Sequence, residues 1–200
     1  MHPEQDRLKD VFLAESPVLD TCCSPRLIML EPGGNIILVP YQDTNWLGLP
    51  GGKVNMAEAL KGGNLESTGA FPTLVREIWE ECGIDVSKRL RKSAACLGLA
   101  EITAIDEQRK QATRILSPIF ICTIDDFGGI DDRARVVNIW RSFPGPLFPD
   151  AQLGITRLKK VITSEEPLIP VCLNAELPVI YFEMVPQMRL QMGPPNWLLN

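Results

Sequence analysis

The sequence predicts a single α+β domain, and three observations point to it. Two hundred residues with no linker-like stretch and no internal repeat suit one hydrophobic core. The apolar runs RLIML and NIILVP, joined by Glu31-Pro32-Gly33-Gly34, have the composition of a β-hairpin. Between Pro72 and Gly83 the pattern switches to that of an amphipathic helix, and further strand-like segments follow it.

Taken in order, residues 1–25 are short fragments broken by Pro17 and Pro25, expected to form an N-terminal extension packed on or near a domain spanning 26–190. The hairpin covers Arg26 to Pro40. After a polar loop from Tyr41 to Asn45, Trp46 to Pro50 reads as a short extended segment, with Trp46 as a core or rim anchor. Residues 59–71 are rich in Gly, Asn, Ser and Thr and read as a loop. Pro72 suits a first helical position, where its missing N–H costs nothing, and Gly83 suits the left-handed residue that ends a helix. Ala94 to Ile105 and Ile115 to Ile124 read as strands, with Pro118 marking an edge or a bulge in the second. Asp125 to Arg135 is an acidic turn whose carboxylates lack the alternating spacing of a calcium loop. Ser142 to Asp150 is a proline-rich connector. Gln152 to Ser164 reads as a helix, Val179 to Val185 as a strand, and 191–200 as a C-terminal tail.

Composition narrows the function classes. A formal charge of −5 gives no general attraction to nucleic acid or anionic lipid, and no apolar run approaches the length that crosses a bilayer. Six cysteines without framework spacing, and His2 as the single histidine, argue against both a disulfide scaffold and a Cys/His zinc site. The amino terminus has no secretory pattern, so a cytoplasmic or nuclear location is expected. For Cys22-Cys23 a buried structural role is the default, with a reactive pair as the rarer alternative.

The chemistry concentrates between Leu49 and Ile84. On a helix, Glu77, Glu80 and Glu81 fall within an arc of about 100°, with Val75, Ile78, Trp79 and Cys82 spread over the other side. Like charges three and four residues apart destabilise an isolated helix, and Arg76 alone cannot offset all three, whereas a bound divalent cation would. Clustered glutamates without histidine favour Mg²⁺ or Mn²⁺. An acidic solvated helix face is common, however, and on EIWEE alone it is the default reading.

What shifts the balance is the whole pattern: Gly52, five residues, Glu58, and later Arg76-Glu77-Ile78-x-Glu80-Glu81-x-Gly83-Ile84. This resembles the Nudix box, whose second half is matched at every defined position from Arg76 to Ile84. The resemblance implies an α/β/α sandwich around a mixed sheet, with a loop–helix–loop metal site that hydrolyses nucleoside diphosphates linked to another group. It places metal ligands at Glu77, Glu80 and Glu81, with the Gly52 carbonyl as a further ligand, Glu58 supporting the network and Arg76 orienting a box carboxylate. The site residues so expected are Glu81, Glu80, Glu77 and Arg76 for catalysis, and Glu77, Glu80, Glu81, Gly52 and Glu58 for metal.

One departure is large, because Glu58 and Arg76 stand ten residues further apart than in the family. Either Gly52 and Glu58 keep their roles and 59–68 bulges out, or Gly62 and Thr68 take those positions and the box glutamate is lost. The first register is preferred, since LPGGKV resembles the family's lead-in and such loops tolerate insertion. The general base is a box glutamate or one of Glu101, Glu107, Glu165, Glu166 and Glu176, which the sequence does not rank. The substrate is not readable, although Tyr41, Trp140, Phe143 and Phe148 are aromatic groups that stack on a base or, by default, pack in the core. A hydrolase of a small nucleotide or diphosphate is the leading expectation, with no membrane or nucleic-acid partner and a homodimer compatible with the resemblance. The alternatives are a Nudix-fold binding or regulatory module, and a plain structural domain with an acidic helix.

Overall fold

The computed structural model describes residues 20–41, 45–55, 70–106, 111–163 and 169–170. Eleven elements run through them: β1 Asp20–Cys23, β2 Arg26–Glu31, β3 Asn35–Pro40, β4 Leu47–Gly48, α1 Ala70–Cys82, α2 Ser87–Ser93, β5 Ala95–Asp106, β6 Gln111–Thr123, β7 Arg135–Asn138, α3 Pro149–Ile162 and β8 Ile169–Pro170.

The strands form one mixed sheet in the order β4-β3-β2-β6-β5-β8, with β1 added beside β6 and β7 beside β3. β6 runs parallel to β1 and β2 and antiparallel to β5, so it is the strand on which the sheet is centred. Apolar residues occupy consecutive positions in β2, β3 and β6 because both faces of the sheet are covered. On one face Leu27, Met29, Ile37, Val39, Phe120 and Cys122 pack with α1 and α2. On the other, Ile28, Ile36, Leu38, Ile119 and Ile121 pack with α3. The result is an α/β/α sandwich around a mixed sheet, as the resemblance implied. The hairpin forms as expected, with Gly33 and Gly34 both at positive φ in a turn closed by the Gly34 N–H on the Glu31 carbonyl.

Several elements depart from the sequence reading for identifiable reasons. α1 begins at Ala70, two residues before Pro72, so Phe71 and Leu74 join Ile78 and Cys82 as its buried seam. About that seam Trp79 is rotated by roughly 100° from Ile78 but Glu81 by only about 60°. Trp79, expected on the packing side, is therefore 61% exposed, while Glu81 is half-buried. Pro118 lies in no edge: its strand is interior, and it faces the break at Ser24-Pro25 where the parallel neighbour changes from β1 to β2. The nearest irregularity is in β5, between Cys96 and Gly98. α3 begins at Pro149, inside the expected connector, with the proline in its first turn. α2, β7, β1 and β8 were not anticipated. α2, SKRLRKS, buries Leu90 and otherwise holds basic residues and serine, which leaves no periodicity to read.

The acidic segment after β6 is a turn, as expected, with the Gly128 N–H donating to Asp126 and the Arg133 N–H to Asp131. Five cysteines are free thiols among the described residues, and burial raises both Cys22 and Cys23, the latter to about 11. Among those residues no helix is long and apolar enough to cross a membrane. Glu58, the 59–68 insertion, Glu107, Glu165, Glu166, Glu176 and the expected strand at 179–185 lie outside the described residues. Glu101 sits on β5 opposite Leu116, and its side chain also lies outside them.

Candidate active site

The site forms where α1 meets the glycine pair. Gly51 makes an isolated antiparallel bridge with Arg26, and the Leu27 N–H donates to the Pro50 carbonyl at 3.0 Å, so the loop before the helix is laid against the start of β2. This approach leaves no room for a side chain. A Cβ on Gly51 would overlap the Pro25 carbonyl, and the residue's φ of 137° is one that only glycine adopts readily. A Cβ on Gly52 would overlap the Glu77 carboxylate. Further along, the Val54 N–H donates to the Cys23 carbonyl and continues the attachment to β1.

The three box glutamates separate into different environments. Glu81 is turned inward, and its Oε2 accepts the Gly51 N–H at 2.9 Å. Burial raises its carboxyl to about 7; the Gly51 N–H and Arg26 oppose that rise, and Glu77 adds to it. Glu77 has a side chain 17% exposed and lies against Gly52, paired with Arg76 Nη1 at 2.7 Å. Glu80 is 55% exposed and meets Arg76 at 3.2 Å. Arg76 thus touches two box carboxylates and also donates to the Lys53 carbonyl at 3.5 Å, tying the helix to the loop. Of the expected residues, Glu77, Glu81 and Gly52 come together. Glu80 sits beside them facing outward, and Glu58 lies outside the described residues.

Gly51, Gly52, Glu77 and Glu81 line a cavity of about 660 Å³ together with Arg26, Val39, Pro40, Tyr41, Lys53 and Arg133. Arg133 arrives from the turn after β6. Its Nη2 donates to the Glu80 carbonyl at 2.7 Å, and Asp131, whose N–H donates to the Cys82 carbonyl, holds the guanidinium at 3.0 Å. That turn therefore donates to the carbonyls at the end of α1 and delivers a cation to the cavity rim. Arg26 is 2% exposed, with Nε on Asp150 Oδ2 at 2.8 Å and Nη1 on the Gly51 carbonyl. Burial would lower its pKa, and Tyr41, Asp150 and Glu81 more than reverse this, so it stays cationic. Tyr41 is buried, packed edge-on against Phe148 with ring centroids 4.5 Å apart. Of the four aromatics considered for base stacking, Tyr41 lines the cavity and Phe148 backs it. Trp140 and Phe143 gather instead around Lys159 on α3.

Whether these residues suit a divalent ion can be judged from their chemistry. Glu77 and Glu81 supply hard oxygen donors at a half-buried position, and burial holds Glu81 above its usual carboxylate range despite the opposing Gly51 N–H and Arg26, a rise that a bound cation would offset. The close seat of Gly52 against Glu77 brings backbone to the same point. The donor set fits Mg²⁺ or Mn²⁺ through Glu77, Glu81 and the Gly52 backbone. Among the described residues no three acidic, thiol or imidazole side chains converge, because Glu80 faces away.

Four contributors escaped the sequence reading: Arg26, Lys53, Arg133 and Asp150. A cation at the head of an otherwise apolar strand was the available signal for Arg26, and an acid immediately after Pro149 for Asp150.

The arrangement of layers, glycine pair and carboxylate helix defines a class, the Nudix fold. The solved structures bear this out. One similar structure is the E. coli dihydroneopterin triphosphate pyrophosphohydrolase, at TM-score 0.52 and 15% identity over 70% of this chain and 95% of that one. Another is a MutT NUDIX hydrolase from Burkholderia pseudomallei, at TM-score 0.50 and 18% identity over 70% of this chain and 98% of that one. No family model matches the sequence, and no curated protein does. At this level of identity the likeness establishes that the chain has the Nudix fold.

Proposed function

We propose that this protein hydrolyses a pyrophosphate bond in a nucleoside diphosphate linked to a further group, with Mg²⁺ or Mn²⁺ as cofactor. The observation that carries the reading is the convergence of Glu77, Glu81 and the Gly51–Gly52 backbone on a cavity that also presents Lys53 and Arg133. Two carboxylates and two basic side chains lining one cavity suit a polyphosphate bound through a cation better than a free anion. Glu77, Glu81 and Gly52 would hold the metal, with Glu80 and Glu58 completing the site by the family resemblance. A divalent ion held there would supply neutralisation of phosphate oxygens and acidification of the attacking water.

This chain's own residues do the remaining work. Arg76 holds Glu77 against the loop, the Gly51 N–H fixes one oxygen of Glu81, and Lys53 and Arg133 meet substrate phosphate oxygens at the rim. In the reaction the water oxygen bonds to phosphorus as the bond from that phosphorus to the bridging oxygen breaks. The water proton passes to a carboxylate, and the leaving phosphate departs as an anion. Tyr41 lines the same cavity, and in this reading its ring contacts the group beyond the phosphates. The reading includes a cytoplasmic, small-molecule setting and homodimerisation.

The test is a panel of nucleoside diphosphate derivatives with Mg²⁺ or Mn²⁺, comparing wild type with Glu81→Gln. A triphosphate belongs in the panel, since a similar structure is a dihydroneopterin triphosphate pyrophosphohydrolase. Release of nucleotide or phosphate by the wild type and its loss in the variant is the expected result. Release from no compound, or equal activity in the variant, overturns the proposal. A second reading, a binding module with little turnover, is favoured by the outward position of Glu80 and its pairing with Arg76. It is distinguished by metal-dependent nucleotide binding without product.

A further inference from the structure

Beyond the box helix, the deepest ionic group among the described residues is the pair of Arg26, 2% exposed, and Asp150, fully buried. A buried ion pair is a poor stabilising device, because the desolvation of both charges offsets their attraction, and apolar groups of similar volume often serve as well. Its placement here is informative. One guanidinium spans two contacts at once, Nε to Asp150 Oδ2 at 2.8 Å and Nη1 to the Gly51 carbonyl, and only the rigid fork of arginine offers donors in that arrangement. The opposite side of the same residue, the Gly51 N–H, donates to Glu81 Oε2 at 2.9 Å. Behind the pair, Ser117 Oγ on β6 stands 3.4 Å from Asp150 Oδ2, and Asp150 lies in the first turn of α3, where the helix N-terminus favours a carboxylate.

We infer that Arg26 and Asp150 form a positioning pair that fixes the backbone at Gly51, and through it sets the orientation of the Glu81 carboxylate from the opposite side of the sheet. The chain of contacts is Asp150 (α3), Arg26 (β2), Gly51 (loop), Glu81 (α1), so helices on both faces of the sandwich are coupled to one carboxylate oxygen. Gly51 has no side chain with which to brace itself; the backbone bridge to Arg26 and the Leu27 N–H on the Pro50 carbonyl hold the peptide before it, and the Arg26 guanidinium holds the carbonyl after it, so the side chain completes the selection of a φ of 137°. The catalytic consequence rests on Glu81 acting as proposed above; the geometric consequence does not.

The test separates the two. Labelling proline at its carbonyl carbon and glycine at its nitrogen marks only the Pro32-Gly33, Pro50-Gly51 and Pro144-Gly145 peptides of this sequence. The Gly51 amide is then read by chemical shift and hydrogen exchange in full-length protein with EDTA, with Gly33 and Gly145 as internal references. Wild type is expected to show a protected Gly51 amide whose shift moves in Glu81→Gln. Arg26→Lys keeps the charge without the fork, and Arg26→Met with Asp150→Leu replaces the pair by apolar volume. Each should lose at least about tenfold in Gly51 protection while the reference amides are unchanged, and Mn²⁺ affinity should fall about 10- to 100-fold, the usual range for partners of a metal ligand. With an active substrate, kcat falls by a similar factor and KM changes by less than about threefold. Gly51 protection and shift as in wild type in Arg26→Lys overturn the inference, whether or not the double variant folds. A wild type that hydrolyses nothing overturns the proposed function and leaves the Gly51 result to decide this one.

Discussion

The cavity has two walls of different origin. One is the helical wall, where Glu77 and Glu81 line the cavity from α1, flanked in sequence by Arg76 and Glu80, and owe their proximity to helix geometry alone. The other is assembled from the start of β2, the end of β3, the glycine pair and the turn after β6, with Asp150 of α3 buried behind Arg26 at a separation of 124 positions in the chain. The helical wall has carboxylates in graded exposure, from the half-buried Glu81 to the open Glu80. The assembled wall holds Arg26 buried and Arg133 exposed. Local periodicity can line up like charges, but holding one of them in a low-dielectric position takes groups brought in by tertiary structure.

The largest effect expected from breaking this contrast is on turnover. Glu81→Gln should lower kcat about 10³-fold, since it removes the carboxylate the assembled wall positions. Glu80→Gln, which loses a solvent-exposed contact with Arg76, should cost about tenfold or less. Steady-state kinetics on any active substrate checks the pair. Equal losses at both positions would mean that the walls do not divide the carboxylates as their exposure indicates.

Next come the two glycines. Gly51→Ala meets backbone at Pro25 in a positive-φ conformation and should destabilise the fold by about 2–4 kcal/mol. Gly52→Ala meets the end of the Glu77 side chain, which can rotate away, so stability should fall by about 1 kcal/mol or less while Mn²⁺ binding weakens. Chemical denaturation with Mn²⁺ titration separates them. A Gly52→Ala variant as unstable as Gly51→Ala would show that Glu77 is fixed as firmly as backbone.

How much of this was legible follows from the same contrast. The hairpin, α1 and the two long strands are set by patterns confined to 6–13 residues, and the helical wall is a contiguous motif, so Arg76, Glu77 and Glu81 could be named from sequence. The rotation of α1 could not, because it depends on where the helix begins. With Phe71 and Leu74 counted, the seam turns away from Trp79 and toward Glu81. Arg26, Asp150 and Arg133 act through partners distant in sequence, and a lone arginine or aspartate has no local signature. A proline such as Pro118 suits an edge or a bulge, but its strand is interior and the gap it occupies is created by Ser24-Pro25, between β1 and β2.

A smaller effect tests the electrostatics. Burial holds Glu81 at about 7, well above the ordinary glutamate value near 4.3. Between those values the folded apo protein keeps a proton that the unfolded chain has released, so stability falls as pH rises through that window. Glu81→Gln removes this penalty. In EDTA the variant should exceed wild type by about 1–3 kcal/mol at pH 8, with the difference closing near pH 4. Urea unfolding at the two pH values measures it, and a gap independent of pH would locate the effect in packing rather than charge.

The smallest expected effect concerns the face of α1 that belongs to neither wall. Trp79 adjoins the fully buried Ile78 in sequence yet is 61% exposed, so Trp79→Ala should change stability by no more than about 0.5 kcal/mol, whereas Ile78→Ala opens a cavity in the core. The same rotation that exposes Trp79 brings Glu81 toward Gly51, because both follow from the seam of Phe71, Leu74, Ile78 and Cys82. A loss of more than about 1.5 kcal/mol at Trp79 would mean that the indole is seated. The helix would then be turned by most of a residue, and Glu81 would be carried away from the peptide that orients it.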